Sequence, residues 1–418
     1  YSWRREQSHR QMSVNVVGSV NTFGAASHGI VAELSGNASL SEKQTAVDIA
    51  VAPGATIAVS GQGSDAIRIA NATPSHVATT TITNAGMVSS RSGFAVVSDQ
   101  KTSVVNSGTL TGSIKASGPV WAFKGDMRGI SLTNTASGSI LSGSAIDLGV
   151  DNLAAATLPD YGRLQNFGLL SPGGRGVLQV TNLQGVYVGA SGSTLEVDLD
   201  MRGGGSDRLE ATSTVHLGGA VRPRLTSFGP TRHFSVVQAP ALFGMAMNAT
   251  ALDTPVVDYS LNVRHRGFGA ADAVVAVNSV NFDAAGLSDH DAATGAWLNR
   301  RLASDDTDAD MVTLANAENL ADYENLLDSY ASEHATQQVA GLRASASGFQ
   351  SGMLSCGQIG AGSTAIDEGE CAWGKVSSRW LEYGGGYSGD GRDDHSVLMS
   401  LGSQYIVDDH WRGGFAAG

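Results

Sequence analysis

Two periods organise this chain, and the clearer lies at its end. From Ala372 the residues alternate two by two: Ala372, Gly374, Val376, Ser378 and Trp380 fall on one face, Trp373, Lys375, Ser377 and Arg379 on the other. After a Gly/Asp-rich loop (383–394), Val397, Met399, Leu401, Tyr405 and Val407 alternate against Ser396, Ser400, Gly402 and Gln404. A short Asp408-Asp409-His410 turn leads into Trp411, Gly413, Phe415 and Ala417, which face away from Arg412. Strands of roughly ten residues, apolar outward and polar inward, with long and short connections in turn, are the pattern of an antiparallel transmembrane β-barrel. It places Lys375, Arg379 and Arg412 toward the lumen. Three strands fall short of the roughly eight a barrel needs, so the expectation for 356–418 is an incomplete barrel domain.

Upstream, from about Ser13 to Gly176, a looser unit recurs: β-branched residues, Asn, a small residue, Gly, then another aliphatic. It reads Ile82-Thr83-Asn84-Ala85-Gly86-Met87-Val88, then Val104-Val105-Asn106-Ser107-Gly108-Thr109-Leu110, and later Leu164-Gln165-Asn166-Phe167-Gly168-Leu169-Leu170. A degenerate copy runs from Leu132 through Asn134 and Gly138 to Ile140. A strand-turn-strand unit returning every twenty-odd residues predicts a β-solenoid whose rungs stack on one another. A β-sandwich of irregular hairpins is the alternative, and the repeated Asn-x-Gly favours stacking. Asn and Gly are expected at the turns because both tolerate left-handed backbone.

Between Gly176 and Asn281 the strands lengthen, as in Leu195–Asp200, His233–Val237 and Ala273–Val277. Gly203-Gly204-Gly205-Ser206-Asp207 resembles one copy of a glycine-rich calcium-binding nonapeptide. Such sites need stacked copies to complete their ligands, so a tight turn ending in Asp is expected. From Leu287 to Ser355 the period becomes helical: Leu320, Tyr323, Leu327 and Tyr330, then Leu342, Ala346, Phe349 and Met353 recur at steps of three and four. The other positions are small or polar. That composition fits an amphipathic helix packed on a domain, or a slim polar helix lying inside a barrel lumen; its place just before the first barrel strand favours the second.

Composition sharpens this picture. Fifty-three glycines against 9 prolines, with 16% charged residues, fit short strands joined by tight turns better than a compact α/β enzyme. A formal net charge of -13 argues against nucleic acid or anionic lipid as the main partner, since both call for a basic stripe. The chain begins with Tyr1, and no n-region with an apolar h-region follows. No run of about 18 apolar residues occurs, which leaves strands as the means of crossing a membrane. Cys356 and Cys371 are the two cysteines. In an exported protein a lone pair is most simply a disulfide, whose loop closure would remove roughly 3 kcal/mol of unfolded-chain entropy; two free thiols are the alternative. No His flanks either, so a metal site lacks ligands.

Enzyme signatures are sparse. Asp48, Asp65, Asp99, Asp126, Asp147 and Asp151 are scattered, no acidic residue stands beside His28 in the sequence, and neither a G-x-S-x-G elbow nor an H-E-x-x-H helix occurs. Asn316, Asn319 and Asn325 are available for cyclisation and self-cleavage but form no Asn-Asn pair; they are expected as solvated helix positions. Asp305, Asp306, Asp308 and Asp310 form an acidic run with the means to bind a cation, but a flexible acidic linker is the expectation. No cofactor is called for.

The order of these regions, with particular residues, resembles the type V secretion autotransporters. Ser206-Asp207-Arg208-Leu209 with Val215-His216-Leu217-Gly218-Gly219 is similar to the C-terminal end of pertactin-like passengers, as is Phe234–Ala239 with Val280-Asn281-Phe282. Leu327-Asp328-Ser329-Tyr330 through Phe349 resembles the linker helix, and Cys371-Ala372-Trp373-Gly374 the first barrel strand. The likeness covers about 176–418; over the first 160 residues it rests only on β-helix style. It implies a mainly β chain in four parts: a right-handed parallel β-helix passenger (1–175), an autochaperone-like segment (176–285), a linker with an α-helix (286–355) that carries Leu327, Tyr330, Leu342 and Phe349, and the start of an outer-membrane barrel (356–418). It further implies outer-membrane lipid and the barrel-assembly machinery as partners, an oxidising periplasmic setting for Cys356 and Cys371, and a non-enzymatic passenger at the cell surface, serving as an adhesin or a structural stalk. The rival expectation is a secreted β-helix enzyme acting on polysaccharide, which a cluster of carboxylates on one rung face would favour.

Overall fold

The computed structural model describes residues 10–34, 45–71, 78–117, 129–149, 162–243, 250–267, 270–330, 343, 371–383, 392–407 and 412–417. The fold is mainly β with parallel sheets, in a β-helix-like arrangement. Packing divides the chain into two units, Tyr1–Asn281 with Arg301–Glu318, and Phe282–Arg300 with Asn319–Gly418.

In the first unit each turn of the chain offers three strand positions. Arg10–Val16, Ser19–Thr22 and Ile30–Leu34 are followed by Thr45–Val51, Thr56–Val59 and Ile67–Asn71, and each pairs in parallel with its counterpart one turn earlier. The first position continues through Ala78–Asn84, Lys101–Asn106, Ile130–Asn134, Arg163–Asn166, Val186–Gly189, Thr214–His216 and Ala241–Phe243, giving nine described strands in chain order. In the middle turns the second and third positions merge into single bent strands, Met87–Ser98, Thr109–Ala116 and Ser139–Asp147, with register shifts around Gly112 where they bend. Parallel in-register pairing stacks like on like. Ile49, Ile82, Val104, Leu132, Leu164 and Tyr187 follow one another through the sheet and are at most 1% exposed. Burying each aliphatic of this column contributes roughly 1.5–3 kcal/mol.

Two residues further along, the register brings the repeated asparagines together: Asn84 opposite Asn106, Asn106 opposite Asn134, Asn134 opposite Asn166. All four are fully buried. Each amide donates to the next: Asn84 Nδ2 to Asn106 Oδ1 (2.8 Å), Asn106 to Asn134 (2.8 Å), Asn134 to Asn166 (2.7 Å). Asn166 closes the series on the Tyr187 hydroxyl at 3.2 Å. The second amide proton goes to a carbonyl of the following turn, that of Thr109, Ser139 or Leu169. The Oδ1 of Asn84 and of Asn166 also accepts the N–H of the glycine two residues on. Burial pushes the Tyr187 phenol up to about 12, so it stays neutral at the end of the ladder.

The structure corrects the expected role of these residues. None of the four asparagines, nor Gly86, Gly108, Gly138 or Gly168, has a left-handed φ. The glycines are needed because the turns stack too closely for a side chain. A Cβ on Gly108 would stand 2.0 Å from the Gly86 carbonyl oxygen, and one on Gly168 2.2 Å from that of Gly138. Local conformational preference gave the wrong reason for the right residue types.

Parallel stacking stops at the C-terminal side. Ala270–Val280 runs antiparallel between His233–Ala239 and Val257–Gly267. Among the described residues, the strand Ala220–Ser227 is paired on that side only at Ala220 and Val221, by Thr250–Ala251. Beyond this pair, Leu225 finds a substitute in the segment 301–318: its N–H donates to Asn316 Oδ1 (2.8 Å) and its carbonyl accepts from Asn316 Nδ2 (2.7 Å). One amide thus stands in for a missing strand. Helix Ala309–Ala315 buries Met311, Leu314 and Ala315, and the Ala315 carbonyl accepts from the Thr254 hydroxyl.

In the second unit, helices Asp289–Ala303 (whose last residues, from Arg301, belong to the first unit) and Leu320–Tyr330 enclose Phe282, which is fully buried. Its N–H donates to Asn299 Oδ1 and its carbonyl accepts the Tyr323 hydroxyl at 2.6 Å. Gly295 permits the approach, since a Cβ there would lie 2.3 Å from the Phe282 carbonyl oxygen. The described part of the expected helical stretch is therefore broken into three helices. Short polar side chains cap each helix start: Ser288 accepts from Asp291 N–H before the first helix, and at the two breaks Asp308 accepts from Met311 N–H and Asn319 from Asp322 N–H. Asp306 and Asp308 both pair with Arg301; the Arg301 bond holds Asp306 below its usual range, and the Met311 N–H, with Arg301 adding, does so for Asp308. The acidic run is thus a capped, ion-paired turn; Asn316 is half-buried and tied to Leu225 rather than a solvated helix position, while Asn319 is exposed and caps helix Leu320–Tyr330.

Candidate functional site

Two features stand apart from ordinary core packing. The first, in the second unit, is an antiparallel sheet of Cys371–Tyr383, Arg392–Ile406 and Arg412–Ala417. Its register pairs Val376 with Met399, Gly374 with Leu401 and Ser378 with Val397, so these share one face with Tyr405. That face is open: Val376 is 69% exposed, Met399 67% and Leu401 60%, with Val397, Tyr405 and Val407 also exposed. A contiguous exposed apolar row of this kind marks a surface that meets something other than water. Lys375, Arg379 and Arg412 pair with Ser400, Ser396 and Ile406, at register positions of the opposite parity. No helix among the described residues is long and apolar enough to cross a membrane, which leaves strands untouched by that criterion.

The second feature, in the first unit, is a set of three buried carboxylates. Glu196 and Asp198 lie on strand Thr194–Asp200 and are 1% and 2% exposed; Asp207, just before strand Arg208–Ala211, is fully buried. All three serve the segment 173–179, in which Gly173, Gly174 and Gly176 have left-handed φ of 73, 78 and 79°. Glu196 receives the Arg175 guanidinium on both oxygens, at 3.1 Å each, with Arg222 at 3.9 Å. Asp198 accepts the N–H of Gly176, while that of Val177 donates to the Gly174 carbonyl at 3.3 Å. Asp207 accepts the N–H of Gln179 (2.7 Å) on one oxygen and that of Asp198 (2.9 Å) on the other. The register sets Glu196 opposite Arg222 and Asp198 opposite Arg224, so charge alternates across the turns. Burial is the main cause that raises Asp198, and it raises Asp207 to about 7, the neighbouring carboxylates adding to the effect.

The expected turn at 203–207 is present: Asp200 accepts the N–H of Arg202 and Gly203, and Gly204 takes the left-handed backbone. Among the described residues no group of three or more His, Cys, Asp or Glu is placed to hold a metal ion. His28, which has no acidic neighbour in sequence, lies 3.4 Å from Asp65 in space, and its Nδ1 accepts the Asp65 N–H. Asp65 in turn holds Arg68 and the Phe94 N–H, so this group ties adjacent turns together.

The other expected positions are distributed as follows. Leu327 is 1% exposed on helix Leu320–Tyr330, which ends at Tyr330. Cys371 opens the antiparallel sheet, while Cys356, Leu342 and Phe349 lie outside the described residues. The carboxylate cluster escaped sequence reading because its members are gathered around the segment 173–179 and by the turn that returns Asp207 to Asp198; only the Glu-x-Asp spacing of 196 and 198 was visible.

No family model matches this chain, and no curated protein matches it either.

Proposed function

We propose that this chain belongs to a type V secretion autotransporter of the Gram-negative outer membrane. In this reading the parallel stack is a right-handed β-helix passenger carried to the cell surface, and strands 371–417 contribute to the barrel that delivers it. The observation that carries the reading is the apolar row Val376, Val397, Met399, Leu401 and Tyr405, open on one face of an antiparallel sheet. Acyl chains are the partner that such a row suits, with the register of Lys375, Arg379 and Arg412 turned to a polar interior. The asparagine ladder supports the same mechanism. Each amide donates toward the C-terminal neighbour, so a turn added onto that side arrives with acceptors waiting, and folding from the C-terminal end can draw the chain outward. The passenger is a non-enzymatic adhesin or stalk.

The rival, a polysaccharide-acting β-helix enzyme, draws on Glu196 and Asp198 sharing one strand face. A general acid or base must reach its substrate. Here Glu196 and Asp207 have both oxygens engaged, Asp198 takes the Gly176 N–H, and all three are buried. The adjacent cleft of about 150 Å³ is lined by Arg222, Arg224, Asn316 and Glu318, not by these carboxylates. The arrangement favours a structural clamp.

Protease shaving of intact cells tests the proposal, with an epitope tag in the exposed Ser191-Gly192 turn of the chain expressed with a complete barrel. Removal of the tag while periplasmic markers survive is the expected result. A tag protected until the outer membrane is opened would overturn it.

A further inference from the structure

We propose that Phe23 and Arg91 are the two walls of a slot that takes one ring of an acidic oligosaccharide, a pyranose bearing a carboxylate. The slot follows from register in the first unit. Thr22, Val59 and Ser90 are partners in three successive turns, and Phe23, Ser60 and Arg91 are the residues that follow them. The Ser60 N–H donates to the Thr22 carbonyl, so the alignment of the first two turns carries on to these positions. Two large side chains thus stand two turns apart with a serine between them. The floor is the outer face of the same strands. Ile57, Val88 and Leu110 are fully buried, and the alternate positions Ala58, Ser89 and Thr111 face outward in register with Asn21. Ala58 keeps the floor low, and the groove has a volume of about 310 Å³.

Spacing and chemistry select the occupant. Neighbouring strands lie about 4.8 Å apart, which sets walls two turns apart at roughly 9–10 Å. A ring touching both walls through contacts of about 4.0–4.5 Å needs roughly 8–9 Å, whereas a flat aromatic stacked at about 3.5 Å fills only about 7 Å. A chair-shaped sugar therefore suits the slot better than a nucleobase. Phe23 is 79% exposed, and the negative face of its ring attracts the C–H groups on one side of a pyranose. The Asn21 amide and the Ser89 and Thr111 hydroxyls make no side-chain hydrogen bond among the described residues, which leaves them to the hydroxyls of a sugar. Arg91 is the one charged residue among the described residues lining the groove, and it has no ion pair there. Its planar fork matches a carboxylate at two points. The net charge of -13 on the chain is screened beyond about 8 Å at physiological salt, so Arg91 sets the local preference for an acid. The inference rests on the adhesin reading for its setting and on the groove for its chemistry.

Isothermal titration calorimetry on the full chain, in a detergent without a sugar headgroup, tests this. The probes are trigalacturonate and sialyllactose, each compared with its carboxyl methyl ester. At least one acid should bind, and its ester should bind roughly tenfold more weakly or worse, the loss of one charge-assisted pair. Phe23→Ala should weaken binding of the acid by about tenfold, and Ser60→Trp, which fills the slot between the walls, should abolish it. Arg91→Gln should bind acid and ester alike. Phe23, Ser60 and Arg91 are all exposed, so these changes leave the core intact. The slot is overturned if neither acid binds, if an ester binds as well as its acid, or if Phe23→Ala or Ser60→Trp binds like the parent. An Arg91→Gln variant that keeps the preference for the acid would overturn it too. Binding in detergent and cleavage of the surface tag are separate readouts, so failure of the slot and failure of the secretion proposal are told apart.

Discussion

Replacing Asn134 with alanine would leave the Asn106 amide without its main acceptor and remove a donor from Asn166, both in a fully buried column. Stranded buried polar groups cost about 1–3 kcal/mol each, so Asn134→Ala should lose roughly 2–4 kcal/mol in urea unfolding. Thr133→Ala, one residue away on the half-buried outer face, should change stability by less than about 0.5 kcal/mol. Equal losses would show that the ladder carries no special weight. The repeat was legible because Asn and Gly returned in step with the aliphatics. Their function was not, since a left-handed turn and a stacked amide call for the same residue types, and only the neighbouring turn, 22 to 32 residues away, separates the two. Asp65 is likewise joined to His28 only across neighbouring turns, 37 residues apart, whereas Asp207 lies 9 residues from Asp198 and is returned to it by the local turn at 200–206.

At the scale of the element, the segment 301–318 shows how a sheet is ended by a partner from elsewhere in the chain. The Asn316 amide pairs with both backbone groups of Leu225, and Glu318 reaches Arg175 and Arg222. Asn316→Ala should therefore free the Leu225 N–H for exchange and cost about 1–3 kcal/mol, while leaving exchange in the ladder strand Ile130–Asn134 unchanged. Loss of protection in both places would mean that this segment supports the whole stack rather than its edge. A three- and four-residue period foretold helix here, and Leu320, Tyr323 and Leu327 keep it. What the period concealed were the breaks. Asp308 and Asn319 could be read as polar helix positions or as caps, and the choice depends on whether Met311 and Tyr323 find a core to enter.

At the scale of the molecule, the strand alternation after residue 371 was the easiest element to foresee, because a period of two survives without any tertiary partner. What the alternation means depends on the medium the apolar face meets, and one substitution distinguishes water from lipid. A charged side chain on a lipid-facing strand costs roughly 2–4 kcal/mol near the bilayer midplane, whereas on a wetted sheet it relieves exposed apolar surface. Met399 is 67% exposed in the middle of strand Arg392–Ile406, and Ser400 beside it has the opposite parity. In cells expressing the chain with a complete barrel, Met399→Arg should deplete it from the outer-membrane fraction and abolish cleavage of the surface tag, while Ser400→Arg should leave both largely intact. If Met399→Arg is displayed as well as the parent, or if the two substitutions act alike, the exposed row does not face acyl chains. The sheet would then have to be read as a surface that meets a protein partner, and the secretion proposal would lose the observation on which it stands.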